Sequence, residues 1–126
     1  MTKPLVVHIG IEASPLILER QALAGIDCNI ESVALGHSGS VIEAIREADV
    51  VLNNHSAVTK GIFRQLERCR LMVRYGHGYD TIDVKAATDC GVMITNIAGS
   101  TTEEVANHAL MLLLALAREV RRLDAA

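Results

Sequence analysis

Five short runs rich in aliphatic and β-branched residues recur along this chain at intervals of roughly twenty residues, with helically spaced apolar positions between them. The predicted strands are Leu5–Ile9, Asn29–Leu35, Val50–Asn53, Leu71–Tyr75 and Val92–Asn96. Three of them are nearly all apolar, as strands covered on both faces must be. Phe63, Tyr75 and Tyr79 are the only aromatic residues, so Val, Ile, Leu and Ala must build the core. The 126 residues suffice for one domain with a real core, hardly for two.

The segments between the strands carry helix signals. Pro15 opens the first predicted helix and Gly25 closes it. Ser40 with Glu43 makes a capping box ahead of Val41, Ile42 and Ile45. Thr59 caps a helix bearing Ile62, Phe63 and Leu66 on one face, and Asp80 or Thr81 starts a short helix that ends at Gly91. Strand, helix and strand in this alternation predict an α/β fold, a flavodoxin-like doubly wound sheet of five parallel strands with right-handed crossovers.

The last segment differs. Thr101 and Glu104 form another capping box, and a long helix is expected to run to about Leu123. Glu103 and Glu104 at its start and Arg118, Arg121 and Arg122 at its end complement the helix dipole. Its middle, Ala109 to Ala117, is apolar on every side, and one small sheet covers only one side. The expected division is therefore residues 1–99 as a domain and 100–126 as a helix projecting from it, with a homodimer contact through residues 101–123.

Several function classes fall away. A net charge of −3 offers no basic face for nucleic acid. The longest apolar run is about half a membrane span, and no signal-peptide pattern precedes Leu5, so the expected location is cytoplasmic, without membrane contact. Cys28, Cys69 and Cys90 form no CxxC and read as buried free thiols of a reducing compartment. His8, His37, His55, His77 and His108 show no metal-ligand spacing, so no metal is expected. His8 and His108 read as structural. No GxSxG or Walker A sequence occurs. A phosphoacceptor receiver domain shares the sheet order, but it needs acidic residues where this chain has Gly10-Ile11-Glu12 and Asn53-Asn54, and a Lys where it has Ile97-Ala98.

Ligands of open α/β sheets bind beyond the carboxyl ends of the strands. Those ends read Gly10-Ile11-Glu12, Leu35-Gly36-His37, Asn53-Asn54-His55, Gly76-His77-Gly78 and Asn96 to Thr101. Two glycines around His77 can expose successive N–H groups as an anion nest, or simply make a tight strand-to-helix turn. Gly78 is the position expected to need a positive φ or a close ligand approach. The loop is not a dinucleotide fingerprint, because Thr81 stands where a third glycine belongs.

The stretch Arg74-Tyr-Gly-His-Gly-Tyr-Asp-Thr-Ile-Asp-Val-Lys-Ala-Ala87 resembles the amino-terminal signature R-x-G-V-G-x-D-N-I-D-x-x-A-A of the D-isomer-specific 2-hydroxyacid dehydrogenases. Cys90-Gly-Val-Met-Ile-Thr-Asn-Ile-Ala-Gly99, Val105-Ala-Asn-His-Ala-Leu110 and Leu114-Ala-Leu-Ala-Arg118 are similar to the motifs that follow it, departing at His77, Ala98 and Asn107. The phosphoglycerate and glyoxylate or hydroxypyruvate reductase type is the nearest in appearance. The resemblance implies a substrate-binding domain for a small 2-hydroxy or 2-oxo acid. Its site residues would be Gly76, His77 and Gly78 for the carboxylate, Asn54 and His55 for the substrate tail, and Thr101 beside substrate and nicotinamide. Val105 would pack on the nicotinamide ring. The resemblance also implies NAD or NADP as cofactor of the full-length enzyme. The glycine fingerprint and the Arg, Glu and His that catalyse hydride transfer in relatives are not in these residues, so the chain alone is expected to bind no cofactor and to lack activity. No catalytic residue is assigned within it. A fragment and a naturally short chain both fit this pattern. The other class that fits is a stand-alone acid-binding or dimeric interaction module without enzyme activity.

Overall fold

All five aliphatic runs form strands. The computed structural model describes residues 2–35 and 40–125. Strands β1 (Leu5–Gly10), β2 (Asn29–Ala34), β3 (Val50–Asn53), β4 (Leu71–Arg74) and β5 (Met93–Asn96) lie in the order β2-β1-β3-β4-β5, every pair parallel. This is the predicted flavodoxin-like order. Every strand end falls within one residue of expectation. The candidate end at Leu35-Gly36-His37 lies mostly outside the described residues, since 36–39 are not among them.

Register explains the core. Val7, Val51, Met72 and Ile94 stand side by side across β1, β3, β4 and β5. The first three are fully buried, and Ile45, Val58, Phe63, Ala86 and Ala87 pack on the same cluster. Each fully buried aliphatic side chain contributes about 1.5–3 kcal/mol over exposure, so this row is the main stabilising layer. The opposite face is less completely covered. Leu16, at the start of α1 (Ile17–Ala22), is buried outside that cluster, yet exposure rises toward β5, where Met93 is 66% exposed.

The helices depart from the sequence expectations in instructive ways. Ser40 does cap α2 (Val41–Ile45), its side chain accepting from the Glu43 N–H. Helix α3 is a single turn (Lys60–Phe63), and the Thr59 hydroxyl makes no cap; the Thr59 carbonyl instead accepts from Ile62 and Phe63. Helix α4 (Val84–Asp89) starts at Asp83, not Asp80 or Thr81, with the Asp83 carboxylate accepting from Ala86 N–H at 2.9 Å. Its end is a Schellman motif: Gly91 takes φ +72°, donates to Thr88 O at 3.0 Å, and Val92 donates to Ala87 O at 2.9 Å. Leu16, rather than Pro15, is the cap of α1, in the left-handed region at φ 55°, and α1 stops at Ala22 before reaching Gly25. Cys69 is buried, but Cys28 is half-buried and Cys90 exposed, so only one thiol belongs to the core.

The long terminal helix is two helices. Helix α5 (Thr102–Ala117) and α6 (Val120–Asp124) are separated by Glu119 at φ 50°. No glycine or proline signals that break; Glu119 simply takes the left-handed conformation, at a cost of about 1–2 kcal/mol. The Thr101 hydroxyl makes no cap hydrogen bond, so the expected capping box does not form. No residue of α5 is buried, and Leu112 and Leu116 are 48% and 79% exposed. No helix among the described residues is long and apolar enough to cross a membrane.

Candidate functional site

One row above the apolar layer, at the carboxyl ends of the strands, the register aligns Ile9, Asn53, Arg74 and Asn96 on the same face. Three of these four are polar, which an ordinary core row would not tolerate. Each polar member holds a strand-end loop. The Asn53 amide, fully buried, donates to Ser56 O and accepts from Ser56 N–H, both at 2.9 Å, which fixes the turn carrying Asn54 and His55. Asn96 donates to His77 O at 2.7 Å from β5. Arg74 donates through one terminal nitrogen to Tyr75 O at 2.7 Å, and its other terminal nitrogen lies 3.5 Å from His55 Nδ1.

The two loops are also zipped together. Val58, buried after β3, donates to Thr81 O and accepts from Asp83 N–H, beside buried Ile82. Tyr75 N–H donates to Asn53 O across the strand ends. On the opposite face the Tyr75 hydroxyl donates to Glu19 at 2.9 Å, and burial together with that carboxylate pushes the phenol above its ordinary range. His8 packs against the Tyr75 ring and pairs with the Ser32 hydroxyl at 3.0 Å; burial lowers its pKa, opposed by the Glu19 charge. His8 is therefore the structural residue its mid-strand position suggested.

Within the Gly76-His77-Gly78 loop, carbonyls and amides are sorted. Gly76 O accepts from Ile97 N–H and His77 O from Asn96. The N–H groups of His77 and Gly78 donate to no acceptor among the described residues. The positive φ sits at Gly76 (+147°) and not at Gly78, where the sequence suggested a positive φ or a close ligand approach. A Cβ at Gly76 would also meet the Arg74 guanidinium at 3.3 Å, whereas one at Gly78 would meet the tip of the Asp80 side chain.

Of the expected site residues, His55 lies 3.5 Å from Arg74, which underlies Gly76, while Asn54 donates its N–H to Ile9 O; Asn54 is half-buried and His55 and His77 are exposed. Thr101 and Val105, at the start of α5, are exposed, and among the described residues no hydrogen bond joins them to the loop. Sequence reasoning named Asn53 and Asn96 among the strand ends and Arg74 at the head of the signature, but assigned none of the three a role in the site. The available signal was a polar residue ending three aliphatic strands in succession. No cluster of three or more His, Cys, Asp or Glu residues stands together among the described residues.

Known proteins share this fold and part of this sequence. Over 85 residues the chain is 35% identical to a glyoxylate reductase of Korarchaeum cryptofilum, covering 67% of this chain and 26% of that protein. A D-3-phosphoglycerate dehydrogenase of Methanocaldococcus jannaschii is 35% identical over 81 residues, 64% of this chain and 16% of its own. The chain therefore spans about a quarter or less of the length of these relatives. Among solved structures, the D-lactate dehydrogenase of Aquifex aeolicus, complexed with NAD and lactic acid, superposes with a TM-score of 0.74 at 18% identity, over 94% of this chain and 35% of that one. A family model described as the catalytic domain of D-isomer specific 2-hydroxyacid dehydrogenases matches residues 13–122, and with nearly the whole chain inside that match, this protein belongs to the D-isomer-specific 2-hydroxyacid dehydrogenase family.

Proposed function

We propose that this chain is the substrate-binding part of an NAD(P)-dependent oxidoreductase acting on the CH–OH group of a small 2-hydroxy acid. The observation that carries the reading is the Gly76–Gly78 loop: the Gly76 and His77 carbonyls are tied to β5 and its extension, while the His77 and Gly78 N–H groups donate to no acceptor among the described residues. A carboxylate seated there would be held by fixed dipoles, which positions the adjacent hydroxyl or oxo carbon without ordering cost at the moment of reaction. Asn54 and His55, on the turn after β3, would be the residues to meet the rest of such an acid.

The dinucleotide is a different matter. Thr101 and Val105 offer one hydroxyl and one apolar side chain on an exposed helix, and Gly76-His77-Gly78 is followed by Thr81 rather than the third glycine of a pyrophosphate loop. That set does not hold a dinucleotide, so hydride transfer is assigned to the enzyme as a whole and none to this chain by itself. The exposed leucines of α5 support pairing of two chains through the helical segment 101–123.

The test is an NMR titration of the purified chain with glycolate and glyoxylate. The His77 and Gly78 amide signals should shift first, and His77→Val should leave the affinity nearly unchanged because the main chain does the binding. Shifts confined to other residues would refute the site. In parallel, NADH with glyoxylate or hydroxypyruvate should show no oxidation above the blank; clear turnover would refute the assignment of catalysis to elements outside this chain.

A further inference from the structure

Among the described residues, Arg74 is the one whose buried side chain is left with an unsatisfied polar atom. It is only 9% exposed, at the end of an otherwise aliphatic strand, and its Nε is buried without a hydrogen-bond partner. The ion pairs among the described residues join Lys3 to Asp27, Arg68 to Asp49, Lys85 to Asp89 and Arg122 to Glu119; none includes Arg74. Buried guanidinium groups ordinarily carry a carboxylate partner, because an uncompensated charge away from water is costly. Here the hydrogen-bond partners among the described residues are a neutral carbonyl, Tyr75 O, and the His55 ring. The guanidinium lies directly under Gly76, between the Gly76–Gly78 loop and the turn that carries His55.

We propose that Arg74 is the charge anchor of the acid site: a positioning residue whose missing counter-charge is the ligand's own carboxylate. This rests on the reading of the loop as the carboxylate seat. The loop amides supply direction but are neutral. Arg74 supplies a full positive charge beneath them, in a partly desolvated position where it is felt more strongly than in water. The bond to Tyr75 O fixes the backbone entering the loop, and the glycine at 76 is what lets the guanidinium approach so closely. The consequence is selectivity for charge: the site should distinguish an acid from its uncharged amide, which loop dipoles alone would do only weakly. A hydrogen-bonded or closely placed charge of this kind is worth about ten- to hundredfold in affinity.

The experiment compares glycolate with glycolamide, read from His77 and Gly78 amide shifts in the unmodified chain and in Arg74→Met and Arg74→Lys. Glycolate should bind the unmodified chain about ten- to hundredfold more tightly than glycolamide. Arg74→Met should lose that preference while still shifting the loop amides, and Arg74→Lys should recover most of it. If Arg74→Met keeps the preference, or weakens both ligands equally, the charge-anchor role is wrong while the loop remains the carboxylate seat. If neither ligand moves the loop amides of the unmodified chain, the reading of the loop fails, and this inference with it. Should Arg74→Met not fold, Arg74→Gln gives the same comparison.

Discussion

Adding one methyl group at Gly76 should damage this domain far more than adding one two residues later. The backbone at Gly76 has φ +147°, a region that residues with a Cβ reach only at a cost of about 1–3 kcal/mol. The new Cβ would lie 3.3 Å from a terminal nitrogen of Arg74 and 3.5 Å from its central carbon. The guanidinium cannot simply swing away, because it is buried and held by Tyr75 O and His55. Relieving that contact adds about 1 kcal/mol, so Gly76→Ala should cost about 2–4 kcal/mol in all. In a domain of this size each kcal/mol moves Tm by roughly 3–6 °C. Gly78 is outside the left-handed region, and its Cβ would meet only the tip of the exposed Asp80 side chain, at 3.3 Å. Gly78→Ala should therefore change stability by less than about 1 kcal/mol, with reduced chain entropy in the unfolded state offsetting the contact. Urea unfolding followed by circular dichroism measures both. Equal costs at the two positions would show that neither the Gly76 conformation nor the Arg74 contact constrains the loop, and the reasoning would fall.

Three further outcomes are expected. Asp49 is held below the ordinary carboxylate value of 3.8, first by the Leu5 N–H at 2.7 Å and then by Arg68. Its contribution is full above that value and lost as pH falls through the depressed one, so Asp49→Asn should destabilise at neutral pH, with the gap to the unmodified chain closing in acid; a pH-independent gap in urea titrations contradicts this. His8, lowered from 6.5 by burial, binds its proton more weakly in the folded state, so stability should decline as pH drops below 6.5. His8→Asn should flatten that decline between about pH 7 and pH 5, and an unchanged slope excludes His8 as its source. Replacing Leu112 and Leu116 by Glu should give a monomer by sedimentation; a monomeric unmodified chain at micromolar concentration, α5 intact, would rule out pairing through the helix.

The sheet was legible because its information is local and repeated: β-branched runs such as Leu5-Val6-Val7 have few other uses, and their spacing leaves room only for crossover connections. The Gly76-His77-Gly78 loop was legible for the same reason, since paired glycines at a strand end restrict the possibilities. Which glycine carries the positive φ was not, because both have the same freedom and the choice falls to the packing of Arg74 beneath one of them. The polar row was hidden more deeply. Asn53, Arg74 and Asn96 are twenty or so residues apart, and only the register of two strand pairs sets them side by side. The caps at Thr59 and Thr101 failed because a hydroxyl near a helix start need not turn toward it, and the break at Glu119 has no residue that announces it.

The unsatisfied Arg74 also bears on how sequence variants of this domain should be judged. A methionine there keeps much of the volume and removes a buried, uncompensated charge, an exchange that is often neutral or favourable to folding. Such a variant should express well and melt no earlier than its parent, while losing its discrimination between acid and amide. Screens that equate damage with lost stability would pass it as harmless, and selection for heat resistance alone would tend to enrich it.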